Sequence, residues 1–140
     1  MVIGLILPPL IAEASLAHAR ADEPNEACGL LAGSHKTGRA TAYYPARNGE
    51  ASPLRYTVHP DDLLRIMLAI DDDGEELLAI FHSHTNSPAV PSATDLREAR
   101  YPEPFYLLAS LADPAALPVQ ALRAWRIRDG GATEVPLTIE

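Results

Sequence analysis

Five apolar residues, Leu77 to Phe81, run directly into His82-Ser83-His84. Residues 77–84 read as a strand that ends in a long loop, 85–91, carrying Pro88 and Pro91. Alternate side chains of a strand share a face, so His82 and His84 can converge on one ion while Ser83 faces the other way. Two imidazoles alone do not close a metal site. The rest of the chain must therefore bring a further donor to this end of the strand.

The other elements follow from periodicity and punctuation. Residues 2–7 are apolar and read as an opening strand, after which Pro8-Pro9 leads with fixed φ into a helix over 10–21, whose narrow apolar stripe is Leu10, Ala14, Ala17 and Ala21. Pro24 ends it. Residues 26–33 (Glu-Ala-Cys-Gly-Leu-Leu-Ala-Gly) lack helical spacing and read as a buried strand, with a turn over 35–38 and a hairpin partner over 40–44. A polar loop, 45–53, leads to an expected strand over 54–58. Pro60-Asp61-Asp62 then opens a helix, with Leu63, Ile66, Met67 and Ile70 on one face and Asp71-Asp72-Asp73-Gly74 as its stop.

Beyond the histidines, Ser92 can cap a short helix reaching to about Arg100. Residues 105–110 and 120–128 are strand-like, and Gly130-Gly131 joins the latter to 133–139 in an expected hairpin; 114–118 reads as a surface loop. Six or more strands and three helices give a mixed α/β domain. The 140 residues are one domain, 1–140, long enough to bury roughly two thirds of the unfolded surface.

Composition removes several classes of function. Nineteen Asp and Glu against eleven Lys and Arg leave a formal charge of −8, with Lys36 as the single lysine, which disfavours a phosphate backbone as partner. The lone Cys28 excludes an internal disulfide and any four-thiolate metal site, and Ala-Cys-Gly-Leu-Leu reads as a small core hydrophobe. Residues 1–7 lack the basic flank of a signal peptide and are interrupted by Pro8-Pro9. No stretch approaches the ~20 apolar residues of a membrane span, so the expectation is a cytoplasmic protein with no membrane and no nucleic-acid partner.

The third donor for the two histidines is Asp95, in Ser92-Ala93-Thr94-Asp95. Two imidazole nitrogens and one carboxylate oxygen suit zinc and leave a fourth tetrahedral position for water, as in catalytic sites. Asp95 also stands three residues after a helix cap, where a carboxylate closes a capping box, and a carboxylate turned toward metal makes a poorer cap. Both readings stand on spacing alone. Glu26 is the leading carboxylate for proton transfer, since it opens a buried strand instead of lying in an acidic run; a solvated connecting residue is the plain alternative. Ser92 can likewise serve as cap or as donor to an oxyanion. His18, His35 and His59 lack ligand spacing.

Glu26, His82-Ser83-His84, then seven residues, Ser92, two residues and Asp95 resemble the JAMM (MPN+) signature of the Mov34/PAD-1 metallopeptidases. Residues 25–33 and 79–84 also resemble the bacterial branch of that family. The resemblance implies a single mixed-sheet MPN domain with flanking helices, and zinc held by His82, His84 and Asp95. It makes Glu26 the general base and later acid, and Ser92 the oxyanion-stabilising residue. It further implies hydrolysis after the C-terminal diglycine of a small ubiquitin-like sulfur-carrier protein, with release of cysteine as one outcome; a homodimer is left open. The alternatives are a catalytically silent scaffold of the same fold and a zinc hydrolase of another small amide.

Overall fold

The computed structural model describes residues 4–140; Val2 and Ile3 of the expected opening strand lie outside the described residues. The elements run β1 (Leu5–Leu7), α1 (Pro9–Ala21), β2 (Cys28–Ser34), β3 (Arg39–Ala46), α2 (Pro60–Asp72), β4 (Glu76–His84), α3 (Ala93–Glu98), β5 (Phe105–Ser110), α4 (Pro118–Ala121), β6 (Leu122–Arg128), β7 (Gly131–Val135) and β8 (Leu137–Ile139). All eight strands join one mixed sheet in the order β7-β6-β5-β4-β2-β3-β1-β8. Only Pro136 separates β7 from β8 in sequence, yet they stand at opposite ends of that order. The sheet must therefore curl on itself, and a curled sheet has less exposed edge to protect.

Both faces of the central strands are covered, which explains why β2, β4 and β5 are almost continuously apolar instead of alternating. On one face α1 packs Ala12, Leu16 and Ala19 against Leu31, Phe81 and Leu107, all buried. On the other, Ile66 and Ile70 of α2 meet Leu30, Ile80 and Leu108. The odd–even alternation of β4 places His82 and His84 on the α2 side with Ile80, at the carboxyl end of the strand. β4 and β5 run parallel, and the crossover between them carries the loop 85–92 and α3. Crevices beyond the carboxyl ends of parallel strands are where such sheets place their chemistry.

Two expectations from the sequence need correction. Residues 54–58 do not form a ladder strand. Asn48 meets them with its side chain, Nδ2 donating to the Arg55 carbonyl at 3.0 Å and Oδ1 accepting from Thr57 N at 3.1 Å, and a single bridge joins Asn48 to Val58. Backbone bonds flank that bridge, Gly49 N donating to the Thr57 carbonyl at 2.7 Å and His59 N to the Arg47 carbonyl at 2.9 Å, but the pairing extends no further. Residues 133–139 are also not one hairpin arm. Pro136 has no N–H to donate, so the pairing with β6 ends at Val135, and Leu137–Ile139 crosses to run parallel to β1. β6 starts at Leu122, two residues later than expected, because Pro118–Ala121 forms a helical turn.

The end of β3 is fastened to the start of α2 by one carboxylate. Asp62 accepts from Arg47 N at 2.7 Å and from Arg47 Nε at 3.0 Å on one oxygen, and from Arg47 Nη2 at 3.1 Å on the other. Hydrogen bonds from Arg47 hold the Asp62 carboxyl well below the usual carboxylate range. His59 adds an N-cap, its Nδ1 accepting from Asp61 N at 3.2 Å. Among the described residues no helix is long and apolar enough to cross a membrane.

Two stability predictions follow from this packing. Because the folded state depresses the Asp62 pKa, the unfolded chain binds more protons between the depressed value and the ordinary one near ~3.9. The contribution of the pair is complete above that ordinary value and is lost as pH falls through the folded one. Asp62→Asn lowers the thermal midpoint at pH 7, and the gap between variant and native protein closes on acidification, as followed by circular dichroism. Gly33 lies at a bulge in β2, where an added Cβ would stand 2.7 Å from Leu78 Cδ2 and meet the Arg39 carbonyl. Gly33→Ala costs about 1–3 kcal/mol in a denaturant titration, as overpacked sites do.

Candidate metal centre

Three side chains from two elements meet at the carboxyl end of β4. His84 Nε2 lies 2.9 Å from Asp95 Oδ2, and His82 Nε2 lies 3.1 Å from the same oxygen. One ligand atom from each of His82, His84 and Asp95 falls within 4.8 Å of the other two. The histidines arrive from alternate positions of β4, and Asp95 from the first turn of α3.

Asp95 satisfies both readings of its position, which are not exclusive. Its Oδ2 accepts from Ser92 N at 2.9 Å while Ser92 Oγ accepts from Asp95 N at 3.1 Å, a complete capping box. The same Oδ2 faces both imidazoles. The cap is what aims the carboxylate: fixing Asp95 to the start of α3 turns one oxygen toward β4. Burial alone would raise the Asp95 pKa, but the close approach of the His82 and His84 imidazoles outweighs it and holds the carboxyl well below its ordinary value.

The two histidines differ in their second nitrogens. His84 Nδ1 donates to the Pro88 carbonyl at 2.8 Å, which holds a proton on Nδ1 and leaves Nε2, 2.9 Å from Asp95 Oδ2, as the nitrogen whose proton a metal would replace. His82 is completely buried and neither of its nitrogens has a hydrogen-bond partner; the 3.1 Å approach to Asp95 lacks hydrogen-bond alignment. Burial pushes the His82 pKa down, so its ring is held neutral. An unpaired buried polar atom costs on the order of 1–3 kcal/mol. A cation between Nε2 of His82, Nε2 of His84 and Oδ2 of Asp95 removes that penalty, so the residues present fit zinc. Two nitrogens and one oxygen are also a donor set zinc accepts with a position left open.

Glu26 joins this group through strand register. Cys28 pairs with His82 across β2 and β4, and Ser83 N donates to the Ala27 carbonyl at 3.1 Å, so the next residue back, Glu26, stands across from His84. Its backbone is held on both sides, Glu26 N donating to the Ser52 carbonyl at 2.8 Å and its carbonyl accepting from Asn48 Nδ2 at 3.0 Å. The residue is 4% exposed and Oε1 has no partner. Burial raises its pKa to about 7, opposed by the field of His84 and reinforced by that of Asp95. Glu26 is thus a buried carboxyl with an unpartnered oxygen, unlike the solvated residue that sequence alone allows. Ser92 is exposed, and since its Oγ accepts the cap bond, its hydroxyl proton remains free to donate.

Other parts of the site carry no local sequence signal. Ser83 points to the opposite face, where its Oγ accepts from Ala27 N at 2.9 Å and ties the chain next to Glu26 onto β4. Tyr56 stacks on His82 with ring centroids 4.4 Å apart and planes 20° from parallel. A cavity of about 360 Å³ adjoins the cluster through Asp95, walled by Leu30, Tyr56, Met67, Ile80, Tyr101 and Tyr106. Its apolar lining comes from α2, the sheet and the segments around Tyr56 and Tyr101, while α3 adds Thr94, Asp95 and Glu98. Cys28, though beside His82, is fully buried with its thiol pushed up to about 12 by burial, which matches its expected role as a core residue. His18 bonds the Tyr43 hydroxyl, His35 the Leu77 carbonyl, and His59 caps α2, so none of them approaches the cluster.

A family model for prokaryotic homologs of the JAB domain matches residues 9–128. The chain is 38% identical over 138 residues to the CysO-cysteine peptidase of Mycobacterium tuberculosis (strain ATCC 25618 / H37Rv), covering 99% of this chain and 92% of that protein. It is 37% identical over 110 residues to the probable TtuB-protein conjugate cleaving protease of Thermus thermophilus, covering 76% of this chain and 72% of that one. Its fold matches the solution structure of DSY2949 from Desulfitobacterium hafniense with a TM-score of 0.87 at 34% identity, over 97% of this chain and 92% of the other. On this agreement of family model, relatives and metal-binding geometry, the chain belongs to the prokaryotic JAB-domain family, the bacterial branch of JAMM/MPN domains related to CysO-cysteine peptidases.

Proposed function

We propose that the chain, acting as one metallopeptidase domain over 1–140, is a zinc-dependent peptidase. Its substrate is a small ubiquitin-like sulfur-carrier protein, which it cleaves after the C-terminal diglycine, releasing cysteine from a carrier–cysteine adduct. The observation that carries this reading is a buried, unpaired His82 facing His84 and Asp95, with an unpartnered carboxylate, Glu26, across the strand from His84. A silent scaffold has no need to keep these groups buried and unsatisfied. The similarity to a CysO-cysteine peptidase along nearly the full length of both chains supports the substrate class.

His82 Nε2, His84 Nε2 and Asp95 Oδ2 would hold the zinc ion. When bound, zinc supplies Lewis acidity, polarising a carbonyl and lowering the pKa of water. Glu26 does the proton work. Its carboxylate takes a proton from the water whose oxygen attacks the scissile carbonyl carbon. As the C–N bond breaks it passes that proton to the departing nitrogen, leaving a carboxylate on the carrier and an amine on the product. A group raised to about 7 can both accept and return a proton near neutrality, which a solvated glutamate does poorly. Ser92, with its hydroxyl proton free, donates to the oxygen that gains charge during attack. The capping box holds Ser92 and Asp95 in fixed relation, so oxyanion donor and ligand are positioned together.

Glu26→Gln keeps the shape of the site and removes the base. It retains one zinc per chain by elemental analysis while kcat on a carrier–cysteine adduct falls about 10²–10⁴-fold, followed by mass spectrometry of released carrier. Full turnover in that variant ends the assignment of Glu26. His84→Ala or Asp95→Ala loses stoichiometric zinc itself. Chelation of the native enzyme abolishes turnover, zinc restores it, and saturating zinc raises the thermal midpoint because the unfolded chain lacks the site. Turnover that survives chelation contradicts the metallopeptidase reading.

A further inference from the structure

The loop between β4 and α3 has no regular secondary structure, yet three successive carbonyls in it each meet a side-chain donor. Ser110 Oγ donates to the Ser87 carbonyl at 2.7 Å, His84 Nδ1 to that of Pro88 at 2.8 Å, and Trp125 Nε1 to that of Ala89 at 2.9 Å. The Pro88 carbonyl also accepts from Val90 N at 2.8 Å, closing a three-residue turn centred on Ala89. The carbonyl that accepts from His84 and the carbonyl that accepts from the indole thus belong to adjacent peptide units of one tight turn. Neither can rotate without the other.

Trp125 is built to hold such a turn. It sits in mid-ladder on β6, paired with Tyr106 of β5 and Glu134 of β7, and is 8% exposed. The Arg123 guanidinium lies 5.1 Å over its ring. The loop is therefore referenced to the rigid sheet two strands away from β4.

We propose that Trp125 is a positioning residue for the metal cluster: its indole N–H fixes the Ala89 turn, so that the Pro88 carbonyl stays where it orients His84 and keeps the His84 proton on Nδ1. This rests on the zinc reading of the cluster. Partners of a ligand's second nitrogen govern metal affinity because they set ring angle and tautomer. Trp125 acts one peptide unit further out, through backbone that the turn makes stiff. Coupling of this kind is reciprocal: if the indole bond favours zinc, zinc favours the indole bond to the same extent.

Trp125→Phe keeps an aromatic ring and deletes the donor. Zinc affinity is measured by competition with a chromophoric chelator, alongside the thermal midpoint of the metal-free forms. The expected result is about tenfold weaker zinc binding in the variant, the lower end of the range for second-nitrogen partners. A fall in the metal-free midpoint with zinc affinity within twofold of native means that Trp125 only packs the core, and overturns the proposal. Since Trp125 is the single tryptophan, the native protein supplies a second test that needs no variant: one indole N–H signal in a ¹⁵N-labelled sample. Zinc saturation slows hydrogen exchange of that N–H by about the factor by which the variant loses affinity. Exchange that zinc leaves unchanged overturns the proposal, also where the variant does not fold. Failure of the native protein to bind zinc overturns both this inference and the metallopeptidase reading, whereas equal binding by native and variant removes this inference alone.

Discussion

Two imidazoles and a carboxylate share one small volume at the end of a strand that is covered on both faces, and this crowding sets the terms for everything around it. His82 is out of water with two unpaired nitrogens, and Ser92 N and both imidazoles crowd within 3.1 Å of Asp95 Oδ2. A protein interior holds such an arrangement only where a further species completes it. The metal-free cluster is thus a stability cost that the surrounding core carries.

The supports divide among different elements. His84 is oriented by a backbone carbonyl of the crossover loop, His82 by the face of Tyr56, and Asp95 by the cap of α3. Glu26 is set by register, through the Ser83 hydroxyl and the Asn48 side chain. Asn48 also holds the segment that carries Tyr56, so one amide side chain links the proton acceptor to the ring that packs on a ligand. Because the four acidic and basic groups sit on β4, α3 and the segment leading into β2, small movements between elements would change their distances. The hydrogen bonds across the elements are what prevent this.

Much of the fold was legible because its strands are buried on both faces: β2, β4 and β5 stand out as short apolar runs bounded by turns. The misreadings have one source. Residues 54–58 have strand-like composition, but they meet only the short segment around Asn48, through its side chain, one bridge and two backbone bonds, and no local pattern reveals so brief a partner. Leu137–Ile139 continues the composition of β7, but its partner β1 lies at the other end of the chain. The donor set was legible because spacing on a strand and a cap at fixed offset are local properties. The orienting groups were not: the carbonyl of Pro88, the face of Tyr56, the indole N–H of Trp125 and the reverse-facing Ser83 gain meaning only from what tertiary structure sets against them.

X-ray absorption at the zinc edge of the loaded native protein tests the central claim most directly, because it counts the atoms around the ion without reference to turnover. The account predicts a four-coordinate shell of two imidazole nitrogens and two oxygens at about 2.0–2.1 Å, one oxygen from Asp95 and one exchangeable with solvent. A sulfur scatterer at about 2.3 Å would mean that Cys28 is a ligand. That result, or a shell with three or more imidazoles, would contradict the account.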